Sequence, residues 1–297
     1  MSRTLLPLLL IALLIPPQGA SASAEPALLE MERLAWRSAR FEASKLLFRL
    51  KLRVELEHLP AAEASPLLWR PPGEEGLLPR GEQVVHLRLD SRVAGRHREV
   101  ELWLDSADGR VLQRTSLDHK GRRSHFKVHR FREGGVVILR RRPADGEEAE
   151  RPPATWSDVR RKVQSWSAGA GAPSEPNALL PLLAAAPLER KGDGITLPFF
   201  ADARVIDTRF EVVEEGQGSY RFRIIGEGGK GEKRKHRREV LVVHASPEEE
   251  ALSFLGLEGK IEVVLDRRLR VPLEIRGRAP VVGEVTIRLQ SVEPAGR

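Results

Sequence analysis

Apolar and polar residues alternate with a period of two over much of this chain. Phe48, Leu50, Leu52, Val54 and Leu56 fall on one side, and Arg49, Lys51, Arg53, Glu55 and Glu57 on the other. This is the pattern of a strand with one dry and one wet face. Val85, Leu87 and Leu89 repeat it, and so do Val100, Leu102 and Leu104 opposite Glu99, Glu101 and Trp103. Asp108-Gly109 marks a tight hairpin with a return strand over 111–117. Glu133-Gly134-Gly135 marks a second hairpin, between Phe126 and Val128 on one arm and 136–142 on the other.

The pattern breaks at 143–153, which is rich in Pro, Glu and Asp and reads as a surface loop. Trp156, Val159, Val163 and Trp166 then recur at helical spacing, with Thr155 as cap and Asp158 in the first turn, which predicts a short helix. A Gly/Ala/Pro connector over 168–176 leads to a second, Leu-rich helix predicted at 177–186, placed as a lid or plug over the sheet. Strands predicted at 204–213 and 219–225 flank 214–218, a hairpin signal, and 239–244 is a strand after a loop rich in Gly and Lys. Ser246-Pro247-Glu248-Glu249 has the start of a short helix. A meander closes the chain: Ile261, Val263 and Leu265, a turn at Asp266-Arg267-Arg268, then Leu269, Val271, Leu273 and Ile275, and finally Val285, Ile287 and Leu289.

About a dozen strands with two or three short helices predict a mainly β protein. So many strands exceed what an open twisted sheet holds flat. The expectation is a large, curled antiparallel sheet, a half-barrel or barrel, with a two-sheet sandwich as the competing architecture. One domain is expected over 25–297, with a partly helical connector at 143–187; two β units at 25–142 and 177–297 are the alternative.

The first 24 residues carry Arg3, an apolar run over 5–15, the helix breakers Pro16, Pro17 and Gly19, and Ala22-Ser23-Ala24. This order predicts a secretory signal peptide cleaved near Ala24, a mature chain from Glu25 and a periplasmic location. Cysteine is absent, so disulfides and thiolate chemistry are excluded. The composition is globular, with 41% hydrophobic and 31% charged residues. A net charge of +7 would favour nucleic acid in a cytosolic protein. Export redirects that expectation away from nucleic acid, either to anionic envelope polymers or, since Arg and Glu alternate along many segments, to plain solvation of the surface. No later segment reads as a membrane span.

Chemistry-bearing motifs are few. The eight histidines include His125 and His129, four apart on a predicted strand, with no zinc-binding pattern, and read as surface residues. The glycine-rich 226–231 lacks a P-loop ending. No nucleophile elbow or placed carboxylate pair occurs, so no catalytic, cofactor or metal residue is assigned and no enzyme is expected. Two candidate sites remain. Leu179, Leu180, Leu182 and Leu183 form an apolar lid for an acyl chain, and Lys233, Arg234, Lys235, Arg237 and Arg238 form a cationic block, placed in a loop, for anions.

The step at 188–198, the run 259–266 followed by Arg270-Val271-Pro272-Leu273-Glu274-Ile275, and 283–289 resemble a bacterial periplasmic β-rich family of unknown function. More distantly, the architecture is similar to the half-barrel of periplasmic lipoprotein carriers. That resemblance implies a concave apolar cavity for acyl chains, and it transfers no functional residue. The function expected is a non-enzymatic periplasmic protein that binds, carries or senses a lipid or other amphiphile, needing no cofactor. The alternative is a structural envelope protein with a packed core and a basic surface for anionic polymers or protein partners.

Overall fold

The computed structural model describes residues 29–45, 48–93, 95–166, 172–201, 203–226, 228–248, 253–280 and 282–296. The expected signal peptide, Glu25, part of the connector at 167–171 and the end of the helix expected from Ser246 lie outside these residues.

The alternation is realised as one sheet of fifteen strands. The first half holds β1 (Trp36–Lys45), β2 (Phe48–Pro60), β3 (Gln83–Val93), β4 (Arg96–Asp105), β5 (Val111–His119), β6 (His125–Arg132), β7 (Gly135–Arg142) and β8 (Asp158–Ser165). The second holds β9 (Gly194–Ala201), β10 (Arg204–Ile224), β11 (Lys233–Pro247), β12 (Ser253–Phe254), β13 (Leu257–Asp266), β14 (Pro272–Ala279) and β15 (Gly283–Pro294). The spatial order is β8-β7-β6-β5-β4-β3-β2-β1-β15-β14-β13-β11-β10-β9, with β12 on β13. Neighbours along that path pair antiparallel; β10 also meets β15 in parallel, through Arg223 and Ile224 against Ser291 and Val292. Three short helices complete the chain: α1 (Ala61–Ala64), α2 (Gly146–Ala149) and α3 (Leu179–Ala185).

Register follows the dry face. Val54 lies opposite Leu89, and Leu89 opposite Val100, and all three are buried. These residues join one apolar core shared by both halves of the sheet. At one end of the sheet the turns after β4 and β13 close on α3. Gly109 in the first turn has φ +70°, and a Cβ there would stand 2.7 Å from Leu182 Cδ2, so glycine is required twice over. In the second turn Arg270 is buried and donates to the carbonyls of Leu183, Ala184, Ala186 and Leu188 at 2.6–3.3 Å. The carbonyls of Leu183 and Ala184 are among those that a helix C-terminus leaves unpaired, and those of Ala186 and Leu188 lie just beyond it. Every residue of α3 is buried, so this helix is a fixed plug.

Four sequence expectations change. The segment expected as a helix around Trp156 to Trp166 is edge strand β8, with Val159 and Val163 exposed. The hairpin expected at 214–218 is the middle of β10, which runs unbroken over twenty-one residues. The block from Lys233 to Arg238 is not a loop; it lies in β11, paired with β10. Ser246 and Pro247 end that same strand, so no helix starts there.

Candidate functional site

The two ends of the sheet order, β8 and β9, face each other without a strand pairing between the described residues. Side chains bridge this seam. Gln164 Nε2 donates to the Ala203 carbonyl at 2.7 Å. Phe131 and Trp166 from one side pack on Phe200 from the other, with ring centroids 5.7 and 5.5 Å apart. Toward the plug the chain around Ser174 fills the seam: Ser174 N–H donates to Pro198, and its carbonyl accepts from Phe200 N–H, both at 2.8 Å.

Toward the other end a cavity of about 700 Å3 remains, inside the range of ligand sites. Its mouth is formed where the β3–β4, β9–β10 and β12–β13 connections lie together, at Val93, Arg96, Ala201, Ala203, Leu255 and Gly256. Leu52, Leu89, Val100, Ile138 and Phe200 supply apolar wall. The charged part of the lining sets Arg96, Arg98, Arg114 and Lys120 against Asp118 and Glu175, beside neutral polar residues such as Ser91, Gln164 and Asn177.

The register explains how charge enters the concave face. Along β4 the inward positions run Leu104, Leu102, Val100, Arg98, Arg96 from plug to mouth. Along β5 they run Leu112, Arg114, Ser116, Asp118, and along β6 Phe131, His129, Lys127, His125. On β5 and β6 the inward set changes from apolar to polar or ionic at the paired Arg114 and His129, and on β4 it changes two inward positions nearer the mouth, at Arg98 opposite Asp118. That change in an otherwise regular alternation is the signal by which the sequence could have disclosed the site.

The carboxylates are already engaged. Glu175, 2% exposed, accepts from Arg114 Nη1 at 2.7 Å and from both the backbone and side-chain N–H groups of Asn177 at 2.8 Å. Asp118 lies 2.7 Å from His125 Nε2 and 3.6 Å from Arg98 Nε, the latter beyond hydrogen-bond length. Arg98 Nε, Arg114 Nε and His129 Nδ1 are buried and find no hydrogen-bond partner among the described residues. Burial, and then Arg114, Lys127 and Arg98 beside it, hold the His129 imidazole well below its ordinary pKa. Burial also lowers Lys127 and Arg98, reinforced by the neighbouring guanidinium groups. The pocket is therefore short of negative charge.

The residues expected to form sites separate. Leu179, Leu180, Leu182 and Leu183 sit in the plug at the closed end, 0–1% exposed, and none lines the cavity. Lys233, Lys235 and Arg237 share one face of the β10–β11 ribbon with Arg221 and Arg223, in direct register. Arg234 and Arg238 belong to the opposite face, where Arg238 lies 3.4 Å from Asp266 and over the Phe222 ring. His129 is an interior residue, 8% exposed, contrary to its expected surface position. Among the described residues no helix is long and apolar enough to cross a membrane.

No family model matches the sequence, and no curated protein matches it. Among solved structures the chain is similar to a β-barrel-like protein of a domain of unknown function, DUF1849, from Brucella abortus, with a TM-score of 0.47 and 11% identity. That alignment covers 89% of this chain and 100% of the other.

Proposed function

We propose that this protein is a non-enzymatic binding protein that takes an anionic amphiphile into the cavity beside the seam, after export to the periplasm. One observation carries the reading: a cavity walled by Leu52, Val100, Ile138 and Phe200 also holds four cations against two engaged carboxylates. The apolar wall suits a hydrocarbon tail, and Arg98, Lys120 and His129, which line the same cavity, suit its acidic group. Burying eight methylenes offers about 6 kcal/mol gross, and two charge-assisted hydrogen bonds add about 1.5–3 kcal/mol each. After the cost of immobilising the ligand, affinity in the micromolar range is expected.

Displacement of a fluorescent fatty acid by dodecyl phosphate and by dodecanol tests this. The phosphate ester should bind at least tenfold more tightly than the alcohol, and Arg98→Gln with Lys120→Gln should abolish the difference. If neither the fatty acid nor either dodecyl compound binds, the reading fails.

A second reading rests on the ribbon. Arg221 faces Lys235 and Arg223 faces Lys233 directly across the strands, an arrangement that costs stability. Its retention favours contact with an anionic envelope polymer or membrane surface. Replacing Lys233, Lys235 and Arg237 by Gln should weaken binding to phosphatidylglycerol vesicles, and wild-type binding should fall with salt. Binding that is unchanged by both would remove this reading.

A further inference from the structure

The convex side of β3, β4 and β5, facing away from the cavity, carries a second cluster. His97 and His119 lie directly opposite each other in the β4–β5 register, with rings stacked 4.4 Å apart and only 7° from parallel. Asp90 and Glu99 lie directly opposite each other in the β3–β4 register. All four share one face of the sheet, by the alternation along each strand. His119 Nε2 is 2.9 Å from Glu99 Oε1, and His97 Nε2 is 3.6 Å from the same oxygen and 3.1 Å from Asp90 Oδ2.

These separations bracket the edges of a tetrahedron. Ligands held about 2.0–2.2 Å from a central ion stand about 3.3–3.6 Å from one another. The charges point the same way. Two carboxylates facing each other across strands repel, and no Lys or Arg forms an ion pair with Asp90 or Glu99 among the described residues. Neutral imidazoles alone leave that repulsion in place, whereas a divalent cation removes it. The cation accepts both ring nitrogens once one ring swings out of the stack, because parallel rings do not aim their in-plane lone pairs at one ion. Two imidazoles with carboxylate oxygens form a borderline donor set, suited to zinc and its neighbours and poorly suited to calcium or magnesium, which favour oxygen ligands.

We propose that His97, His119 and Glu99 form a binding site for a divalent transition-metal ion such as Zn2+, with the fourth position left to water. The ion would staple β4 to β5 on the convex face without entering the cavity. All three side chains are at least partly exposed, so substitution should leave the fold intact.

The test is Zn2+ titration of chelator-treated full-length protein against a chromophoric competitor, with circular dichroism to confirm folding. Wild-type protein should take up one equivalent at micromolar or tighter Kd, and its melting temperature should rise with Zn2+. His97→Ala with His119→Ala should lower affinity at least 100-fold and abolish the rise, and Glu99→Gln should lower affinity at least tenfold. Uptake undiminished in the double variant would place the metal on other histidines and overturn the site. Unchanged affinity in Glu99→Gln would also overturn it, since the two rings alone would then account for binding.

Discussion

His129 is an imidazole placed among cations at the height where the concave face turns ionic. Its Nδ1 has no hydrogen-bond partner among the described residues, and burial together with Arg114, Lys127 and Arg98 disfavours its protonation. A histidine whose folded-state pKa is depressed binds fewer protons folded than unfolded. Below the unfolded value of about 6.5, the unfolded chain gains the extra proton and stability falls. The loss reaches at most about 1.4 kcal/mol per pH unit, until the folded-state pKa is passed. His125 and His236 are depressed as well, chiefly by burial, so His129 accounts for part of the slope. Urea denaturation at about pH 7 and about pH 5 should therefore show a smaller loss of stability in His129→Gln than in the wild type. Equal losses would mean that His129 is protonated in the folded protein.

At the scale of elements, strand β8 shows where pattern reading stops. Trp156, Val159, Val163 and Trp166 have helical spacing, yet each is placed by a different requirement. Trp156 is buried, Trp166 packs on Phe131 and Phe200 at the seam, and the two valines stand exposed on an edge strand beside Arg160, Arg161 and Lys162. Edge strands need no dry face, so their periodicity carries little information, and their charges deter pairing with other chains. Val163 lies directly opposite Val137 of β7, which is 1% exposed. Val163→Glu should change stability by no more than about 0.5 kcal/mol, whereas Val137→Glu should cost several kcal/mol or prevent folding. Similar losses in urea denaturation for the pair would contradict the edge-strand assignment. Elsewhere the strands with one dry face, β2 to β4 and β13 to β15, were legible because burial imposes a period of two. Strand β10 was not, because Gly216 and Gly218 lie inside it; at Gly218 a Cβ would collide with the Tyr220 ring, 2.6 Å away, so this glycine serves packing rather than a turn. The cavity was hidden for a related reason: its inward positions are ionic, so they read as solvent-facing.

At the scale of the whole molecule, backbone hydrogen bonds link β8 through fourteen strand positions to β9, and among the described residues side-chain contacts join those two ends at the level of the cavity. The molecule is in this respect a split ring. At the level of the cavity its bore can widen at the expense of the Gln164 contact and the packing of Phe200 on its partners, while the backbone bonds of Ser174 to Pro198 and Phe200, and of Val111 to Pro173, hold the plug end together. A closed barrel would have to break ladder hydrogen bonds to do the same. The absence of cysteine makes the gap easy to lock: Gln164→Cys with Ala203→Cys can be bridged by a short bis-maleimide without competing thiols. The bridged protein should bind the fluorescent fatty acid at least tenfold more weakly or more slowly than the same variant left unbridged; equal binding would show that ligand enters without widening. A split ring also has no fixed gauge. Tails of increasing girth should meet a gradual rise in resistance rather than a sharp size limit, and selectivity would fall to the charged group at the tail's end.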